Sequence, residues 1–219
     1  MSDLTVLYYT SNREGDKFEA RVRNNILKVK AKLPIISVSQ KAINFGKNIV
    51  VGDHGASGFN MFRQIQIGLR EVKTKFVVSA EADCFYPPDY FQFIPPRNDT
   101  PYRNNNTFLL PQFKDYFLKK NEGGTWAQVI NKDFYLERLN YLFKDAPDWS
   151  VEEKSFPKER SGKEDIFEHI EYYTGKNPCI SVKSQRGMRS YSHSERVPVY
   201  KLPYWGIASN FRNKYYSDD

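Results

Sequence analysis

With 219 residues, 40% hydrophobic and 27% charged, the chain has the length and composition of one globular domain with a substantial core. Two cysteines exclude a disulfide framework or a thiolate metal cluster, and no apolar run approaches bilayer-spanning length. A formal charge of +7 favours polyanionic partners without choosing among nucleotide, nucleic acid and lipid headgroup.

Residues 4–9 (LTVLYY) read as a strand that ends at Thr10-Ser11-Asn12-Arg13. Residues 14–32 follow as a helix, with Phe18, Val22, Ile26 and Val29 at helical spacing, and residues 34–38 as the next strand. Strand, helix, strand in this order predicts an α/β fold with a mostly parallel, Rossmann-like sheet. Residues 39–59 are polar and carry Gly46, Gly52, Gly55 and Gly58, but match neither the Walker loop nor G-x-G-x-x-G. They read as a connection with a short strand at 48–51, in which Asp53-His54-Gly55 is a turn. A helix is expected over 60–72, its buried face Phe62, Ile65, Leu69 and Val72. Near its start, Arg63 and Gln64 either reach a diphosphate at the helix amino terminus or lie in a solvated first turn.

Residues 75–93 (KFVVSAEADCFYPPDYFQF) hold the motif of greatest interest. An apolar run, Phe76-Val77-Val78, leads into Glu81 and Asp83, one residue apart. Carboxylates at i and i+2 of an extended chain point the same way, at the sheet edge where open α/β folds place ligands. Their oxygens suit Mg²⁺ or Mn²⁺ shared with phosphate; the plainer reading is a solvated turn capped by Asp83. Cys84 reads as a small buried hydrophobe.

Residues 97–107 (RNDTPYRNNNT) look like a polar surface loop, 107–111 like a short strand, and 114–119 are weakly defined. Residues 123–143 open on Gly-Gly-Thr-Trp and read as one helical stretch, with Trp126 either a ligand platform or a core plug. Residues 144–163 are charged and interrupted by Pro147 and Pro157. A helix is expected over 166–173, with Glu164 or Asp165 at its amino terminus. Residues 179–182 form a last apolar strand, followed by a basic, aromatic tail that includes Lys183, Arg186, Arg189, His193 and Arg196.

From Thr5 to Pro96 the chain resembles nucleotide-sugar-dependent glycosyltransferases of the GT-A fold, whose acid-x-acid motif stands here as Glu81-Ala82-Asp83. The first acid departs from the family's Asp, which leaves Asp83 as the better metal ligand. The resemblance implies a Mn²⁺ or Mg²⁺ ion at Asp83, Glu81 and a late histidine, His193, and a nucleoside-diphosphate sugar, UDP-linked by preference, as donor. It places Thr10, Asn12 and Arg13 beside the nucleoside; Arg63 at its helix start would then face the diphosphate, while Arg186 and Arg189 either neutralise the leaving diphosphate, bind an acceptor backbone or form a solvated basic surface. It sets Trp126 at the acceptor. The Glu164-Asp165 pair matches the family's second signature, which makes Asp165 the general base of an inverting transfer. Residues 1–96 then form a nucleotide-sugar half and 97–219 an acceptor half of one domain. A chain start without a signal peptide and the charge excess suit a cytoplasmic enzyme acting on DNA with a hydroxymethylated base, in the manner of phage enzymes, or on a lipid-linked or surface glycan. A nucleotidyltransferase lacks support in Thr10-Ser11-Asn12-Arg13-Glu14, where its glycines belong. A non-enzymatic nucleic-acid-binding module needs only the charge and aromatics.

Overall fold

The computed structural model describes residues 3–111, 113–152, 165–183 and 194–216. Glu164, Arg186, Arg189 and His193, singled out from the sequence, lie outside them. In chain order the elements are β1 (Leu4–Thr10), α1 (Asp16–Val29), β2 (Ile35–Ser39), β3 (Lys47–Val50), α2 (Gly58–Leu69), β4 (Phe76–Glu81) and β5 (Cys84–Phe85). They continue with β6 (Tyr102–Asn104), β7 (Thr107–Pro111), β8 (Phe117–Lys120), β9 (Gln128–Asn131) and α3 (Lys132–Phe143). The last are β10 (Glu171–Tyr173), β11 (Cys179–Lys183), β12 (Ser194–Val199), β13 (Lys201–Leu202), β14 (Gly206–Ile207) and α4 (Ala208–Tyr215).

The main sheet has seven strands in the order β10-β6-β9-β4-β1-β2-β3. β4, β1, β2 and β3 are mutually parallel, as are β10 and β6, while β9 runs antiparallel between β4 and β6. Every residue of β1 is buried, because both faces of the sheet are covered. Alternation along the strands sorts the side chains. Val6, Tyr8, Val78 and Ala80 join one core with Phe18, Val22 and Ile26 of α1. Leu7, Tyr9 and Val77 join the other with Ile65 and Leu69 of α2 and Tyr135, Leu139 and Leu142 of α3. α2 seats tightly: a Cβ on Gly68 would stand 2.5 Å from Leu7 Cδ1 and 2.9 Å from Val38 Cγ2. The expected α/β architecture with a mostly parallel sheet is the one observed.

A second sheet, β12-β8-β7-β11-β5, is attached where the chain leaves β4. Ser181 of β11 pairs with Cys84, and the Val182 amide donates to the Asp83 carbonyl (2.8 Å), so the end of β11 is fixed against the acid motif. α4 closes this region by burying Phe211 against Phe85, Phe117 and Trp205.

Three expectations are corrected. Residues 97–107 are not a surface loop: Arg103 and Asn104 are buried in β6. The Asn104 carboxamide accepts from the amides of Asn106 and Gly175, so the asparagines satisfy backbone rather than face water. The helix over 123–143 begins only at Lys132. Before it, β9 fills the gap between β4 and β6, and Asn131 caps α3 by accepting from the Phe134 amide (3.0 Å). No helix forms over 166–173. Ile166 and Phe167 are consecutive and both buried in the α3-side core, which suits an extended chain rather than one helical stripe, and β10 then pairs with β6.

Candidate active site at the carboxyl edge of the main sheet

A cavity of about 190 Å³ opens at the carboxyl ends of β1 and β4. Tyr9, Thr10, Ser11, Arg13 and Glu14 form one wall, and residues 55–57 with Asn60, Met61 and Gln64 of α2 form another. Glu81, Ala82 and Asp83, with Val182 and Lys183 of the neighbouring β11, complete the lining. The cavity is thus where strand ends, a helix amino terminus and an acid motif meet, the usual ligand position of an open α/β sheet.

The walls are held by hydrogen bonds traceable to single residues. Thr10 donates its hydroxyl to Glu19 (2.9 Å), a buried carboxylate that also pairs with Arg23 (3.1 Å). Burial raises the Glu19 pKa, against the pull of Thr10 and Arg23. Asn12 takes the left-handed conformation, φ 54°, and its carboxamide accepts from the Lys41 amide (2.8 Å). That bond ties the loop after β1 to the chain leaving β2. At the start of α2, Ser57 accepts from the Asn60 amide (3.0 Å) and donates to the Ser150 carbonyl (2.5 Å). Asn60 in turn donates to His54 (2.7 Å) and accepts from the Ser150 amide (2.8 Å). His54 stacks on Trp149 at 4.0 Å and 6°.

Glu81 accepts from the Tyr9 hydroxyl (2.9 Å), and its amide donates to Tyr86 (2.9 Å). Glu81 contributes surface to the cavity, and its carboxyl is only partly enclosed. Burial, and after it the charge of Asp83, pushes its pKa up to about 7, against the pull of Tyr9, Lys183 and Lys120. Cys84 donates its thiol to Asp83 Oδ1 (3.1 Å), and burial holds that thiol well above its ordinary value. Among the described residues, Glu81, Asp83 and Cys84 bring one ligand atom each to within 4.8 Å of one another. Two carboxylates fit a hard divalent ion such as Mg²⁺ or Mn²⁺; a buried protonated thiol does not.

The structure distributes the sequence candidates unevenly. Thr10, Arg13, Glu81 and Asp83 line the cavity; Asn12 stands behind it as a loop anchor. Arg63 is committed to the chain beyond α3, donating to Asp148 O (2.8 Å), Pro147 O (2.7 Å) and Gln66 (2.8 Å), with its guanidinium 3.7 Å from the Phe143 ring centre. Trp126 is buried beside Tyr86 and Lys120. Asp165 makes a bidentate pair with Arg103 (2.8 and 3.0 Å), and Arg103 is braced by Gln128 (2.9 Å); Asp165 is not on the cavity wall. Missed from sequence were Tyr9, Ser57, Asn60 and, above all, Lys120 and Lys183. For Lys183 a signal existed: it is the first charged residue after the run 179–182, at a strand end.

No family model matches the chain, and no curated protein matches it. Solved structures with a related arrangement include TarS of S. aureus in complex with UDP-GlcNAc (14% identity over 87% of this chain and 60% of that one, TM-score 0.47). Others are the mannosyltransferase PcManGT from Pyrobaculum calidifontis in complex with GDP-Man and Mn²⁺ (15%, 84% and 58%, TM-score 0.47) and a glycosyltransferase involved in glycosylation of the major capsid of PBCV-1 (11%, 78% and 81%, TM-score 0.44). The chain spans 36% of the longer S. aureus TarS structure.

Proposed function

We propose that the chain is a glycosyltransferase that takes its sugar from a nucleoside diphosphate bound in the cavity at the ends of β1 and β4. The observation that supports this best is the meeting of the Glu81–Asp83 motif with the loop after β1 and the start of α2 around one cavity. Asp83 and Glu81 are the residues that would hold a divalent ion, which when bound supplies positive charge opposite a departing diphosphate. Arg13 offers a cation on the cavity lining, and the amino end of α2, whose positive dipole end favours an anion, borders the same space.

The sequence assignment of Asp165 as acceptor base is kept as part of the proposal. Arg103 fixes its carboxylate plane, and the side chain keeps 23% of its surface open to an approaching hydroxyl. A lone base without a partner nucleophile suits inversion. The excess of positive charge favours a polyanionic acceptor, DNA with a hydroxymethylated base in the finer form of the proposal.

The deciding experiment incubates the protein with a panel of nucleotide sugars, Mn²⁺ and candidate acceptors, with products read by mass spectrometry. Asp83→Asn should lower transfer by at least about 100-fold while leaving the fold intact. Transfer by that variant at the wild-type rate, or no turnover of any nucleotide sugar, refutes the proposal. A salt-sensitive shift of duplex DNA that anionic vesicles do not reproduce supports the DNA form.

A further inference from the structure

The acid motif does not stand alone. Lys183, at the end of β11 and on the cavity lining, places Nζ 4.0 Å from Asp83 Oδ2, with 17% and 22% of the two side chains exposed. At 4.0 Å this is a loose pair rather than a hydrogen bond, so the ammonium keeps donors for another partner. The hydrogen bond from the Val182 amide to the Asp83 carbonyl fixes where Lys183 begins. Lys120, at the end of β8, comes in from behind. It is largely enclosed, with Nζ 5.9 Å from the centre of the Trp126 ring. Burial, then repulsion from Lys183, lowers its pKa, and Cys84, Glu81 and Asp83 pull the other way. Among the described residues no carboxylate lies within 4.0 Å of Lys120. Lys183 and, more distantly, Lys120 thus bring positive charge from the second sheet towards the acid motif.

Among the described residues Lys183 has only this loose pair, and an anion in the cavity would give its ammonium the close partner that a part-buried charge favours. Asp83 offers a single charge, and Glu81 is engaged with Tyr9. Lys183 and the start of α2 both line the cavity; Lys120 does not. We propose that Lys183, backed by Lys120, is the protein's own cationic contact for the pyrophosphate group, so that this group binds even with divalent metal removed. This rests on the donor reading above and deepens it.

The test is calorimetric titration of the full chain with inorganic pyrophosphate in EDTA. Wild-type protein should bind. Lys183→Met should weaken binding at least about 10-fold, Lys183→Arg should restore most of it, and Lys120→Met should weaken it a few-fold. Asp83→Asn should bind equally or more tightly, because a repelling charge is gone. Circular dichroism checks that each variant is folded. Binding only after Mn²⁺ is added overturns the proposal, as does a folded Lys183→Met that binds as wild type, which would make Lys183 a mere neutraliser of Asp83. Nucleotide-sugar turnover with Mn²⁺ in wild type separates the two levels. Turnover without metal-free pyrophosphate binding overturns this inference alone. Metal-free binding lost in Lys183→Met, without turnover of any sugar, supports the anion site and overturns the donor reading.

Discussion

Arg103→Met tests the polar joint between the main sheet and the chain before β10. The guanidinium is almost fully buried and spends three nitrogens on two partners, two on Asp165 and one on Gln128. Removing it strands a carboxylate and a carboxamide oxygen in the core. Deleting one member of a buried ion pair typically destabilises by about 3–5 kcal/mol. Asp165 is 23% exposed, so entering water recovers part of that, and about 2–4 kcal/mol is expected here. Asp165→Asn keeps the acceptor for the Phe167 amide but leaves Arg103 short of counter-charge, and should lose a comparable amount. In the double variant neither charge is stranded, so its loss should fall short of the sum of the singles by about 2 kcal/mol. Urea unfolding of all four proteins, followed by the fluorescence of the three tryptophans, gives each number. Arg103→Met within 1 kcal/mol of wild type, or singles that simply add, would show that the pair is solvated and refute the reasoning.

Gly68→Ala should destabilise by about 1–3 kcal/mol through collision with Leu7 and Val38, despite alanine's better helix propensity; a raised melting temperature would contradict the packing described. Ser57→Ala removes the α2 cap and the bond to Ser150, at about 1–2 kcal/mol in urea unfolding, and a neutral result would mean that the helix start is held by other contacts. Glu81→Gln probes the raised carboxyl in EDTA. A folded-state pKa of about 7 against an ordinary 4.5 means that the native state holds the proton longer, so wild-type stability falls as pH rises through that window. The variant, free of that term, should gain on wild type between pH 5 and pH 8 by up to about 3 kcal/mol, and an unchanged difference across that range argues against a partly enclosed Glu81.

The amino-terminal half was readable because its information is local. Apolar runs in β1, β2 and β4 and the helical stripes of α1 and α2 each announce burial within a few residues. The acid motif was legible for the same reason, since two carboxyl groups one residue apart at a strand end need no distant partner to be noticed. Beyond β4 the meaning of a residue depends on what meets it. Asn104 and Arg103 look like loop residues until Gly175, Gln128 and Asp165 arrive to satisfy them. Arg63 has the right place for a phosphate ligand, but the carbonyls of Pro147 and Asp148 claim it first. Lys120 and Lys183 are dispersed charges in sequence, and only the second sheet carries them to Asp83.

The position of β9 has a consequence for how the chain is made. Until residues 128–131 have emerged, β4 has no neighbour on one side, and Val77, Val78 and the groups around them face solvent along an open strand edge. A fragment ending near residue 96 would contain the whole acid motif yet carry this adhesive border, and is expected to clump rather than bind nucleotide. The cavity at the ends of β1 and β4 and the later chain thus share one sheet, sewn together by four residues running against its grain.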